Sequence, residues 1–121
     1  MRHEIVVDQD AGIIKVSAEG DWNVADSDII TGKIVDKSEE TGIVRILIDH
    51  SKITINVSTL IAYKRPLQLK SQFEHISPKV VFVSPKNRYK LYRFFITIAR
   101  NCGIQFEVFK DYKSALEWLL E

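Results

Sequence analysis

A second cysteine is missing. Cys102 stands alone among 121 residues, so no intrachain disulfide can form and a zinc site built from thiolates is not expected. A reducing, cytoplasmic setting fits that usage. An excess of one charge is missing too: 17 basic against 16 acidic residues leave a formal net charge of +1. Nucleic acids and anionic membrane surfaces usually demand a large basic excess, and neither is an expected partner here. No apolar run approaches the roughly 18 to 20 residues that span a bilayer, and Met1 is followed by Arg2, His3 and Glu4 rather than by a leader-like stretch. Neither membrane insertion nor export is expected. A Gly-x-Ser-x-Gly elbow, a glycine-rich phosphate loop and a His-Glu-x-x-His zinc motif are all absent. His3, His50 and His75 lie far apart, none beside another ligand at metal spacing. No metal, cofactor or catalytic chemistry is therefore expected.

What is present is apolar patterning. Hydrophobic residues make up 45% of the chain, enough for one domain over residues 1–121 with a core of its own. No repeat, low-complexity tract or linker interrupts it. Alternation around Ile5 to Val7 and from Ile13 to Ala18, broken at Asp10, Ala11 and Gly12, predicts a hairpin. Asn23, with Asp26 three residues on, predicts the start of a helix ending at Thr41 and Gly42. Ile43 to Ile48 and Lys79 to Val83 are nearly continuous apolar runs, the pattern of strands covered on both faces. Between them a helix capped by Asn56 or Ser58 carries Leu60, Ile61, Leu67, Leu69 and Phe73, with a kink or break expected near Arg65 because Pro66 lies inside it. A third helix follows Pro85 and closes at Gly103. Ile104 to Phe109 is a last strand, and Asp111 caps a terminal helix. The fold class is α/β, a mixed β-sheet flanked by helices in the order β-β-α-β-α-β-α-β-α.

At about 100° per residue, Leu91, Phe95, Ile98 and Cys102 share one side of the third helix, and Lys86, Lys90, Arg93, Thr97 and Arg100 share the other. One face packs; the basic face is a candidate partner surface through Lys86, Lys90, Arg93 and Arg100, or an ordinary solvated face. Ligands of open α/β sheets collect outside the carboxyl ends of the strands. That places Asp49, His50, Ser51, Asn56, Ser84, Asn87 and Arg88 on a candidate ligand rim. Asp49, His50 and Ser51 do not read as a catalytic triad, because adjacent residues on an extended strand point to alternate sides.

The element order and the segment ILIDHSKITINVS, set between a buried strand and a helix, resemble the STAS superfamily of anti-sigma factor antagonist domains, in its SpoIIAA-like branch. The likeness spans nearly the whole chain, through AEGDWNVAD, VRILIDHSKI, KVVFVSP and FEVFKDYKSALEWLLE. Phosphorylatable domains of that family carry an Asp-x-Ser strand end followed by Asp-Ser-Ser-Gly at a helix start, the first serine of the pair accepting phosphate. Laid on this chain without gaps, Asp49 and Ser51 match the strand end, Ser58 stands at the acceptor and Thr59 at the serine after it, while Val57 replaces the aspartate and Leu60 the glycine. The resemblance implies a bacterial-type regulatory module that is not an enzyme and uses no cofactor, in a family whose members bind proteins, nucleotides or apolar ligands; a protein partner is the expectation here, with a homodimer open. A carrier of lipids or other small apolar ligands is the alternative, and needs an apolar pocket of about 300 Å³ or more.

Overall fold

The chain is described by a computed structural model over residues 1–100 and 104–121, with backbone alone at Thr59 and Leu60. Cys102 and Gly103, expected to pack and to stop the third helix, lie outside the described residues. The elements run β1 (Arg2–Asp8), β2 (Ile13–Asp21), α1 (Val24–Thr41), β3 (Arg45–Thr54), α2 (Thr59–Phe73), β4 (Lys79–Val83), α3 (Tyr89–Arg100), β5 (Gln105–Phe109) and α4 (Tyr112–Leu120). They form the expected α/β order, with a mixed sheet ordered β1-β2-β3-β4-β5. The β1 and β2 strands pair antiparallel across a turn in which Gly12 takes φ +70 and Ala11 N donates to Asp8 Oδ1 at 3.0 Å. Every later neighbour is parallel.

That topology decides where the helices go. Right-handed crossovers stepping one way across a sheet deliver their helices to the same face. Ile30 and Ile34 of α1, Leu69 and Phe73 of α2, and Tyr92, Ile96 and Ala99 of α3 accordingly bury against Val16, Ile46, Ile48, Val80, Phe82 and Phe106. The chain crosses to the other face only after β5, where Ala115 and Leu119 of α4 cover Ile13, Leu47, Val81 and Val83. The continuous apolar runs in β3 and β4 are explained by that double cover. The edge strand β1 alternates because one of its faces lies open.

Helix starts lie where side chains can cap them. Asn23, Ser58 and Asp111 are the N-caps of α1, α2 and α4, each accepting a backbone N–H three residues on. Gly42 closes α1 in the left-handed region, its N–H bonded to Ser38 O.

Three expectations are corrected. The apolar run of β3 fades at Asp49, but the strand does not end there: it continues to Thr54, paired with β2 beyond a register shift between Ser17 and Glu19. β4 stops at Val83, opposite Asp49, so the extension has a single neighbour and carries polar residues. Next, of the kink or break expected near Arg65 the break does not occur: α2 runs continuously through Pro66. Proline removes one backbone bond, yet Pro66 is buried and the preceding Arg65 is tied to α1, so tertiary packing holds the helix. Its buried stripe is Ala62, Arg65, Leu69 and Phe73, leaving Leu67 and Ile61 at the surface. Last, α3 begins at Tyr89, and Lys86, Asn87 and Arg88 lie in the connection before it. Its buried residues are Tyr92, Ile96 and Ala99, one residue or about 100° away from the expected Leu91, Phe95 and Ile98, which are half-buried.

Candidate functional site

The candidate rim divides into separate places. Asp49 and Ser51 face the side of the sheet that α4 leaves open, in a polar cleft with Arg2, Glu4 and Glu19. There Asp49 Oδ1 accepts Ser51 N at 2.9 Å, a local turn-like bond on the strand itself. His50, between them, points to the helical face, its Nδ1 2.7 Å from the Tyr92 hydroxyl. No hydrogen bond joins His50 to Asp49 or Ser51 among the described residues. Asn56 and Arg88 do meet: Arg88 Nη2 donates to Asn56 Oδ1 at 2.6 Å, tying the connection before α3 to the loop before α2. Ser84 is fully buried with its hydroxyl unpartnered, and Asn87 is exposed.

Behind His50 lies a cavity. It is enclosed by Trp22 after β2, Ile30 and Ile34 of α1, Ile48 and His50 of β3, Ile55 and Val57 of the following loop, Ala62, Arg65 and Leu69 of α2, Phe82 of β4, and Tyr92 and Phe95 of α3. Its volume is about 70 Å³. The sequence puts it there because β3 outruns β4, so its last residues have β2 on one side and no strand on the other, and three helices converge over the gap. The His50 ring packs edge-on to Phe82 at 5.6 Å and to Tyr92 at 5.8 Å. Burial pushes its pKa down to about 4, against the opposing pull of the Asp49 carboxylate, so the imidazole is neutral at pH 7. Burial pushes the Tyr92 phenol up, and it remains a hydroxyl.

Arg65 forms another part of the wall and is only 4% exposed. The two terminal nitrogens of its guanidinium are spoken for, while Nε has no partner among the described residues: Nη1 donates to Asp28 Oδ1 at 2.6 Å and to Gln68 Oε1 at 3.3 Å, and Nη2 to Ser27 Oγ at 2.8 Å. The same bond holds the Asp28 carboxyl below its ordinary value. This cluster locks α2 to α1.

Ser58 stands outside the cavity at the N-terminus of α2. It is exposed and extended at φ −67 and ψ 158, and its Oγ accepts Ile61 N at 3.3 Å. No acidic residue lies in the first turn to offset the positive end of the helix. Thr59 begins the helix, and its side chain lies outside the described residues.

The basic face of α3 is half occupied. Glu107 on the edge strand β5, its side chain 15% exposed, takes Arg93 Nη1 on Oε1 at 2.6 Å and Arg100 Nη2 on Oε2. Arg100 Nε also donates to Phe106 O at 3.2 Å. Two of the four candidate partner residues thus clamp helix to sheet, leaving Lys86 and Lys90 exposed before and at the start of α3. Because Glu107 is largely buried, Arg93→Ala is expected to lose about 1 to 2 kcal/mol, while Lys90→Ala stays within about 0.5 kcal/mol. Urea denaturation of the two variants compares them, and equal losses would remove the clamp from the account.

Arg65, Asp28, Tyr92 and Trp22 were not singled out by sequence reasoning as site residues. A signal for Arg65 existed: it falls on the Ala62, Leu69 and Phe73 stripe, where a charge demands a partner. Tyr92 sits among lysines and arginines, and its signal is the stripe it shares with Ile96 and Ala99 at four and seven residues on. Among the described residues no group of three or more His, Cys, Asp or Glu could hold a metal ion, and no helix is long and apolar enough to cross a membrane. No protein-family model matches the chain, and no curated protein matches it.

Proposed function

We propose that this chain is a non-enzymatic regulatory module of the STAS type, binding a protein partner through the N-terminal end of α2, with the charge at Ser58 controlling the contact. The observation that carries the reading is the exposed Ser58 N-cap, with no acid in the turn that follows. A phosphate at that oxygen adds about −1.5 to −2 charges and meets backbone amides and the positive end of the helix, so the fold tolerates it. The surface a partner meets nevertheless changes sign. Around it, Ile61 offers apolar area at 37% exposure, and Arg88, held on Asn56 two residues upstream of Ser58, offers positive charge. Lys86 and Lys90 extend that charge and make association salt-sensitive.

The test compares three proteins against a partner isolated from the native host. Ser58→Asp preserves the cap, and Ser58→Ala removes it at a cost of about 0.5 to 2 kcal/mol. Wild type and Ser58→Ala are expected to bind while Ser58→Asp does not, with phosphate found by mass spectrometry on Ser58 in protein from that host. Equal binding by all three, with no phosphate on Ser58 or Thr59, would reduce the serine to a cap. The carrier reading is supported by the apolar walls of the cavity and opposed by its size, about 70 Å³ against the roughly 300 Å³ that carriage of a drug-sized or lipid ligand requires.

A further inference from the structure

The cavity is too small for a lipid, yet its polar groups converge in a way that packing alone does not require. Tyr92 and His50 settle each other's protons. The phenol has no acceptor besides His50 Nδ1 among the described residues, and an imidazole nitrogen without a proton is a strong acceptor. The hydroxyl therefore donates to Nδ1, which leaves the proton of the neutral ring on Nε2. Nε2 has no hydrogen-bond partner among the described residues. The described buried side-chain atoms lacking one are Arg65 Nε, Gln72 Oε1 and Ser84 Oγ. His50 Nε2 is outside that group and is reachable, and the ring lines the cavity. The cavity so presents the Nε2–H of His50 in a wall that is otherwise largely apolar, through Ile48, Ile55, Phe82 and Phe95.

Charge decides what this donor takes. Arg65 is the only lysine or arginine among the described lining residues, and its guanidinium is already paired with Asp28 at 2.6 Å. A carboxylate entering the cavity would lose its water and find no free cation, since the ammonium of the lining residue Met1 is paired too, with Asp26 at 2.6 Å. A hydrocarbon would leave the N–H unpaired. We infer that the cavity is a binding site for a small neutral apolar molecule carrying one hydrogen-bond acceptor, such as a ketone, ester or lactone, with the acceptor oxygen on His50 Nε2. About 70 Å³ is several times the roughly 10 to 15 Å³ that a cavity needs to hold one water, room for the acceptor and a short apolar stub. Any longer tail lies toward Ile61, Val57 and Leu91, apolar lining residues that reach the surface. This site is independent of the Ser58 reading and stands or falls separately from it.

Titration with 2-pentanone, n-pentane and butanoate, followed by nitrogen NMR of the histidine rings and by Trp22 fluorescence in a Trp118→Phe background, tests the inference. The ketone is expected to produce saturable shifts at His50 Nε2–H and at Trp22. Pentane moves Trp22 without moving Nε2–H, and butanoate binds at least tenfold more weakly than the ketone. His50→Leu, close to the histidine in size, is expected to weaken ketone binding about fivefold or more. Tyr92→Phe keeps the ring, frees Nδ1 to take the proton, and is expected to weaken it as well, which covers the case of a poorly folded His50→Leu. Absence of saturable ketone shifts at His50, butanoate binding as tightly as ketone, or unchanged ketone affinity in a folded His50→Leu or Tyr92→Phe protein would each overturn it.

Discussion

Replacing Phe106 with alanine is expected to destabilise the protein by about 3 to 5 kcal/mol, the usual cost of deleting a buried aromatic. Phe106 is 1% exposed at the centre of the larger core. Its ring centroid lies 6.4 Å from those of Phe73, Phe82 and Phe95, so α2, β4 and α3 all lose a packing surface at once. The surrounding strands are fixed by sheet hydrogen bonds and cannot collapse into the space. Phe94→Ala is the matched control, because that ring is 44% exposed and its loss should stay near 0.5 kcal/mol. Urea melts of both variants, compared at unchanged m-value, read the difference. Similar losses would mean that the inward side of β5 or the outer face of α3 is assigned wrongly.

Lowering the pH from about 6.5 to 4 should cost roughly 3 kcal/mol of stability, and His50→Leu should flatten most of that slope. In the unfolded chain histidine titrates near 6.5, whereas burial holds His50 down to about 4. Between those values the unfolded state binds a proton that the folded state refuses, so stability falls as the pH falls. The stabilisation is complete above the unfolded value and lost by the folded one. Carboxylates do not imitate this window. Asp28, held low by Arg65, contributes stability above its unfolded value of 3.8 and loses it only as the pH drops below that. Melting midpoints at half-unit intervals from pH 7.5 to 4, in wild type and His50→Leu, separate the two. An equal slope in both proteins would place the acid sensitivity elsewhere.

The sequence by itself determined whatever depends on neighbours along the chain. Asn23, Ser58 and Asp111 each cap a helix because the hydrogen bond they make reaches three residues ahead. Gly42 stops α1 because a left-handed cap needs no contact beyond its own turn. The runs around Leu47 and Val81 announced double burial, since no side chain of a strand covered on both faces is left to water. From these the α/β order and the position of Ser58 were legible.

Tertiary structure alone decided the rest, because the deciding partner sits far along the chain. β3 continues past Asp49 since β2 offers it a ladder, and hydropathy reports cover, not pairing. Pro66 fails to break α2 because Arg65 grips Asp28, 37 residues earlier. The register of α3 turned by one residue because the helix settles between α2 and the sheet, with Leu91 and Phe95 turned to the cavity instead of the centre of the core. Arg93 and Arg100 looked like a free basic face until Glu107 came round from β5 to take both. His50 met Tyr92 across 42 residues. A side chain's role is set by what it touches, and at these positions the contact is made only once the sheet has ordered the chain.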